Sequence, residues 1–414
     1  MKMPERCEVA VIGAGAVGVA TALWLRRQGY HVVLLERDAV AAGASYGNAG
    51  TFAPYGCMPI AQPGLLRDIP RLLFSADSPF VVRWSRLPRL MPWLARFLNQ
   101  CRPHHFQRNA TALAQLLQHT YEGYAPLLDE APVAEKHLRH KGCIYAYSSL
   151  DSLRGAEGGY ALRDRFGIPQ QRLSRDELEA LEPALAGKTV GGILFPKSSH
   201  LDDPKRFFED LAAPLLLDGT LCFSTVQRLV RRSNALQLDC ADGHSLLAER
   251  VVLCGGAWSA ALAQQLGDRI PLDTERGYHI EFDLEDTLLE RPCCPVESAF
   301  YMTPMAGRLR VAGTVELGSI NDPANPKRYE YLEQRVRRVL GLRQPVARRW
   351  LGFRPSLPDS LPVIGVSPNE PRLIHAFGHQ HLGLTLAGVT GQLVSQLIEG
   401  TAPAWLDAFS SRRF

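Results

Sequence analysis

Cys7 to Ile12 is a short apolar run followed at once by the glycine-rich stretch Gly13 to Gly18. Ala20 to Gln28 then reads as helix, with Gly29 as its expected stop. Tyr30 to Leu35 is a second apolar run, rich in β-branched residues and ending in Glu36. This order predicts one βαβ unit with a right-handed crossover. Lys2 and Arg6 ahead of the Val9 to Leu25 run outline a signal peptide or membrane anchor. Three tightly spaced glycines and the second β-like run fit strand–turn–helix better. No other stretch reaches the ~18 consecutive apolar residues of a spanning helix.

Further along, helices are expected from about Gln107 to Leu128 and near Ser174 to Leu181. Asp202 or Asp203 can cap a helix with Pro204 in its first turn, running to about Leu217. Short strands are expected around Leu221 to Leu229, Ala235 to Cys240 and Arg250 to Leu253. Tyr278 to Asp283, Phe300 to Pro304 and Leu309 to Thr314 alternate like strands of an antiparallel sheet. The last clear element is a helix from about Leu384 to Glu399, stopped by Gly400. Gln62 to Pro103 differs in character: seven arginines (67, 71, 83, 86, 89, 96 and 102) face two acids, Asp68 and Asp77. Phe74, Phe80, Trp84, Trp93 and Phe97 are interleaved with them.

Composition narrows the class without naming a function. With 414 residues, 46% hydrophobic and 21% charged, the chain is a multi-domain globular protein rather than a disordered, fibrous or polytopic membrane one. A net charge of +4 is too small for a nucleic-acid binder. Nine irregularly spaced cysteines, including the neighbours Cys293 and Cys294 but no CxxC, read as reduced thiols in a reducing compartment. A cytoplasmic location is expected.

The chemistry starts with Gly13-Ala14-Gly15-Ala16-Val17-Gly18 between the predicted strand and helix. Gly13 allows the tight turn, Gly15 lets backbone N–H groups approach a pyrophosphate, and Gly18 permits close helix–strand packing. Glu36, at the end of the second strand, is placed to accept hydrogen bonds from an adenosine ribose. A tight turn alone would explain the glycines; strand, helix and acid in register point to a dinucleotide, FAD or NAD. Three later segments bear on that choice: the small-residue loop Gly43 to Gly50, the strand and glycine turn Val251 to Ser259, and Gly378 to Thr385 leading into the final helix. Taken singly they would be a surface loop, a strand end and a helix cap. His379 and His381 form His-x-His, but no carboxylate or cysteine lies near them in sequence, and no metal is expected.

Together and in this order, these segments resemble the D-amino-acid oxidase superfamily of FAD enzymes over essentially the whole chain. Within it they are similar to bacterial D-amino-acid dehydrogenases and glycine oxidase. The resemblance implies FAD. Gly13, Gly15, Gly18, Glu36 and Arg37 would hold its ADP half, with Ser45, Asn48, Ala49 and Gly50 along the pyrophosphate and flavin. Val226 would contact the adenine side through its backbone, Gly256 and Trp258 would border the cofactor, and His381, Leu382, Gly383, Leu384 and Thr385 would line the flavin ring. Tyr301-Met302-Thr303-Pro304, with Gly307 to Val311, is similar to the strand pair that presents an active-site tyrosine. Trp350 to Pro355 is similar to the segment carrying the carboxylate-binding arginine, here Arg354. A guanidinium can grip a carboxylate in bidentate fashion and a phenol can add one bond; without the resemblance, Arg354 reads as a surface ion pair and Tyr301 as a core aromatic. Tyr55 is implied in the pocket wall, and His379 faces flavin or substrate. Where His381 falls, glycine oxidase-like proteins carry an arginine.

The expected fold is α/β: a Rossmann-like FAD-binding domain of glutathione-reductase type (1–61, 200–267 and 351–414) interleaved with an α+β substrate domain on an antiparallel sheet (62–199 and 268–350). The expected activity is a dehydrogenase oxidising a D-amino acid to the imino acid by hydride transfer to flavin N5. The stretches Gly378 to Leu386 and Thr274 to His279 are similar to dehydrogenases of D-proline or D-hydroxyproline. Electrons would pass to a respiratory acceptor, a quinone or carrier. A peripheral contact of 62–103 with the inner face of the plasma membrane is weighed against a plain solvated face. The alternatives are a sarcosine- or glycine-type amine oxidase using oxygen, and a non-catalytic FAD-binding subunit of a larger complex.

Overall fold

Arg6–Ile12 and Val32–Glu36 form parallel strands joined by the helix Ala16–Arg27. The helix starts earlier than Ala20 because the end of the glycine-rich stretch is already its first turn, and Gly29 ends it at φ +87°. The computed structural model describes residues 3–65 and 80–414.

Five parallel strands make the first sheet, in the order Leu221–Phe223, Val32–Glu36, Arg6–Ile12, Ser245–Leu253 and Leu373–Phe377. Val363–Val366 is added antiparallel at one edge. The first half of Ser245–Leu253 continues into an antiparallel meander with Leu236–Cys240 and Val226–Arg231. Both faces are covered, which is why these strands are apolar throughout rather than alternating. Val9, Val11 and Leu34 pack under the helices, while Ala10, Val33 and Leu35 meet Leu262 and Leu266 on the other side. The final helix, Gly383–Glu399, lies on the first helix, where a Cβ at Gly391 would sit 2.7 Å from the Ala20 carbonyl. Gly400 stops it at φ +75°.

The second sheet runs Arg348–Ser356, Asp273–Asp283, Arg308–Leu317, Phe300–Met305, Cys293–Pro295, Cys143–Tyr147, Gly191–Phe195 and Gln171–Ser174. It is antiparallel apart from the Cys293–Pro295 pairing with Cys143–Tyr147 and a short strand, Phe80–Val82, beside Arg308–Leu317. One face is sealed by the helix Pro326–Leu340 through Tyr331, Leu332 and Val336. The other face turns toward the loop 43–50 of the first body. The strand Arg348–Ser356 crosses the expected boundary at 351 and belongs wholly to this sheet.

Several expectations are corrected. The helix expected over 107–128 is Pro103–Gln118 followed by a separate Ala125–Glu130. Between them Gly123 seats on the backbone of Gly388 and Val389, and its carbonyl takes the Trp24 Nε1 hydrogen at 3.0 Å. Leu221–Leu229 is two strands, not one. Of the two expected caps, Asp203 is the one that holds the helix Pro204–Leu217, accepting from the N–H groups of Lys205 and Arg206.

In the arginine-rich segment, Arg67, Asp68, Arg71, Phe74 and Asp77 lie outside the described residues, as do the side chains of Phe80 and Trp84. Arg83 pairs with Glu316 at 2.9 Å and Arg86 with Asp322 at 2.6 Å. Trp93 is buried in the helix Leu87–Gln100 and stacks on Phe97, so it belongs to the core. Among the described residues no helix is long and apolar enough to cross a membrane.

Candidate active site

The strand end at Ile12 and the helix start at Ala16 leave a turn that only glycine can make. Gly13 sits at φ +101° and a Cβ there would lie 2.8 Å from the Cys254 carbonyl. A Cβ on Gly18 would run into the Gly13 carbonyl oxygen. The turn therefore offers bare backbone beside a helix N-terminus, a setting that favours a phosphate. Glu36 is locked next to it, its carboxylate accepting from Ala14 N at 2.7 Å and from Asp38 N at 3.0 Å. Ser45 Oγ accepts from Ala16 N at 2.9 Å.

Over these groups opens a cavity of about 380 Å³. Gly13, Gly15, Glu36, Arg37, Ser45 and Asn48 line it, as do Val226, Gly256 and Trp258. The Arg37 guanidinium lies 3.7 Å over the Trp258 ring. His379, Gly383 and Leu384 bring the start of the final helix into the same cavity, and Phe353 and Pro355 bring in the second sheet. An acid for a ribose, bare amides at one helix start and a second helix N-terminus fit FAD in one continuous site. Gly18, Ala49, Gly50, His381, Leu382 and Thr385 do not line it, contrary to expectation. Gly50, at φ +75°, donates to Asn48 Oδ1, and Thr385 Oγ1 accepts from Ala53 N at 3.0 Å.

Arg354 lies between Phe353 and Pro355, and strand alternation sends its side chain to the opposite face. It stands across from Glu275, and its guanidinium lies over Gly277, where a Cβ would collide with it. Nη1 donates to the Thr314 carbonyl at 2.9 Å. Burial pulls the Arg354 pKa down and the Glu275 charge opposes that; burial raises Glu275, opposed by Arg354. His381 is solvent-accessible yet set deep among protein atoms, and burial followed by the Arg354 charge holds its imidazole at about 4. His379 is fully buried, its Nε2 within 3.0 Å of Thr390 Oγ1, and burial holds it at about 3.

Tyr301 shares this face with Arg354. Trp350, His279, Ala312 and Tyr301 are cross-strand neighbours in one row, and Arg354 follows Trp350 two alternations along the same strand. The Tyr301 hydroxyl is 2.8 Å from that of Tyr145 and 3.3 Å from that of Tyr55, which also donates to Cys143 Sγ. Tyr55 itself stacks on Phe195 with centroids 3.9 Å apart. Burial raises Tyr301 and Tyr55 well above the usual phenol range.

Gln380, Glu275, Gly277 and His279 lie in stretches that carry the resemblance, but none of them was assigned a role of its own from sequence. Gln380 takes φ +50°, lines the cavity, and ties Pro355 and Leu357 to the turn. Gly277 did carry a signal, because an isolated glycine within a strand marks close approach by another group.

Among curated proteins, the chain is 32% identical to a D-amino-acid oxidase of Bradyrhizobium diazoefficiens, over 100% of both chains. It is 31% identical to a D-amino acid dehydrogenase of Vibrio vulnificus, over 97% of this chain and 99% of the relative. Its fold is similar to that of a glycine oxidase from Geobacillus kaustophilus, with a TM-score of 0.78 and 23% identity over 99% and 100% of the two chains. Residues 8–397 match the family described as "DAO: FAD dependent oxidoreductase", and the chain belongs to that family.

Proposed function

We propose that this FAD-dependent oxidoreductase is a dehydrogenase that oxidises a D-amino acid to its imino acid. The observation that carries the reading is Arg354. Its guanidinium is enclosed but donates only to the Thr314 carbonyl, and among the described residues no carboxylate is in ion-pair contact with it. Its remaining donors are available for a substrate carboxylate, and the neutral His381 beside it adds no competing charge. Tyr301 stays protonated, its hydroxyl held against those of Tyr145 and Tyr55, and turning its hydrogen from Tyr145 to the substrate carboxylate adds one more bond, with Tyr55 as the wall behind it. Holding the carboxylate at this point fixes the Cα–H direction, which converts a diffusive encounter into a near-attack geometry. Bound FAD supplies the hydride acceptor. We assign His379 to holding the turn before the final helix, because its Nε2 is committed to Thr390.

The names of the full-length relatives support D-amino acids as the substrate class. Within that class we favour D-proline or D-hydroxyproline, and a respiratory quinone or carrier as acceptor. The helix Leu87–Gln100 gives the membrane contact some support: Met91 and Leu98 are exposed, flanked by exposed Arg89, Arg96 and Arg102. The relative named an oxidase keeps oxygen in play as the acceptor.

The test is an anaerobic visible spectrum before and after adding D- and L-amino acids, D-proline, D-hydroxyproline and sarcosine. Bleaching of the flavin band by D-isomers is expected, and the fastest names the substrate. Bleaching by sarcosine alone, with peroxide formed in air, would replace the reading by an amine oxidase. A yellow protein that none of them bleaches would be a non-catalytic flavoprotein subunit.

A further inference from the structure

Four consecutive carbonyls of the loop 43–50 are held by side chains of the second sheet. Arg310 Nη1 donates to Tyr46 O at 2.7 Å and to Asn48 O at 2.8 Å. His279 Nδ1 lies 3.2 Å from Gly47 O, which can only accept, so Nδ1 carries the proton. Thr303 Oγ1 donates to Ala49 O at 2.7 Å. The loop thus turns its carbonyls to the sheet, with Ser45 and Asn48 in the wall of the cavity.

The three donors are not scattered. Thr303 and Arg310 are direct cross-strand partners, Arg310 pairs with Glu281, and His279 lies two residues from Glu281 on the same face. Arg310 and Glu281 are both fully buried, with Nε and Nη2 of the arginine 2.8 and 2.7 Å from one carboxylate oxygen. Arg308 adds a second contact to that carboxylate at 3.3 Å. Thr303 is two residues beyond Tyr301, and His279 two beyond Gly277, over which Arg354 rests. The face that carries the substrate groups therefore also grips the cofactor loop.

We propose that Arg310, with Thr303 and His279, is a positioning cluster through which the substrate-binding sheet sets the conformation of the flavin-binding loop and so the register between substrate and cofactor. The inference rests on the FAD reading of the cavity. None of the three is a catalytic residue; they act through the backbone of residues 46–49. A lysine at 310 keeps the charge beside Glu281 but cannot also fork across two carbonyls.

The test compares Arg310→Lys, Thr303→Val and Leu332→Ala, the last buried in the helix that packs on the opposite face of the same sheet. FAD release is followed by the growth of free-flavin fluorescence on dilution of each holoprotein, beside its visible spectrum, melting temperature and kinetics. Arg310→Lys should release FAD about tenfold faster and Thr303→Val about threefold faster. Both should change the flavin band and slow flavin reduction while KM stays within about twofold, since Arg354 is untouched. Leu332→Ala should melt earlier with FAD release and spectrum unchanged. Parent-like release and spectra in folded Arg310→Lys and Thr303→Val would overturn the proposal, as would equally fast release from Leu332→Ala. Should Arg310→Lys not fold, Thr303→Val decides alone. A parent chain that takes up no FAD at all would overturn the underlying cofactor reading instead.

Discussion

Arg354 keeps its place by what Gly277 lacks. The guanidinium rests on the bare strand backbone there, and any Cβ would force it to swing away from the Thr314 carbonyl. Gly277→Ala should therefore mimic loss of Arg354 without touching it. The KM for the amino acid should rise about tenfold or more, the size of one or two charge-assisted hydrogen bonds, with FAD still bound. Arg354→Ala should raise KM further, by about a hundredfold, with the yellow colour retained. Steady-state kinetics beside the flavin absorbance check both, and an unchanged KM in Arg354→Ala would remove the carboxylate assignment. At this scale the sequence is uneven. Gly13 and Glu36 were legible because turn, helix start and acid occur together in one short stretch. Arg354 and Tyr301 were not legible alone, since a single arginine or tyrosine has ordinary surface and core identities; the resemblance supplied them. Arg310, Thr303 and His279 lie in stretches that carry the resemblance, but their own role was not legible, because their partners are backbone carbonyls more than two hundred residues away in the chain.

Elements were readable where their ends are set locally. Asp203 caps Pro204–Leu217 through two backbone N–H groups, and it also lies 3.3 Å from Arg308. Asp203→Ala should cost about 1 kcal/mol through the lost cap. Asp203→Asn, which keeps the cap but not the charge, should recover most of the loss in a thermal melt. Recovery of nothing by asparagine would mean that the Arg308 pair, not the cap, supplies the stability. Gly29 and Gly400 likewise ended their helices as expected, both at positive φ. What could not be read were elements whose reason lies elsewhere in the chain. Cys143–Tyr147 and Gly191–Phe195 are short, and only their pairing across the sheet makes them strands. The break in the 103–130 helical region follows from Gly123 meeting the final helix, a contact with no local mark. The helix Pro326–Leu340 was hidden by its many charges, although its apolar stripe is what seals the second sheet.

At the scale of the whole molecule, three buried histidines, His279, His379 and His200 on the short strand Ser199–Leu201, are held uncharged, and this makes stability depend on pH. Burial holds His200 at about 4, with Arg139 and other cations adding to the effect, and it holds His279 and His379 at about 3. In the unfolded chain all three return to the ordinary value near 6.5. Between pH 6.5 and 4 the unfolded chain thus binds up to three more protons at these three positions than the folded one. Stability from these groups is fully present above the unfolded pKa and is lost as pH falls toward the folded values. The limiting slope is about 1.4 kcal/mol per pH unit for each histidine, or about 4 for the three together. Melting temperature should hold between pH 7 and 8 and fall steeply below pH 6. His379→Gln should flatten the fall by about a third if glutamine keeps the Thr390 bond. Catalysis should not share this dependence above pH 5, because His379 and His381 are already neutral there. The rise of kcat/KM with pH should instead follow the substrate amine, shifting when an amine of different pKa is used. A histidine-like inflection near 6.5 that disappears in His381→Gln would show that residue titrating during turnover, and would return acid–base work to the loop before the final helix.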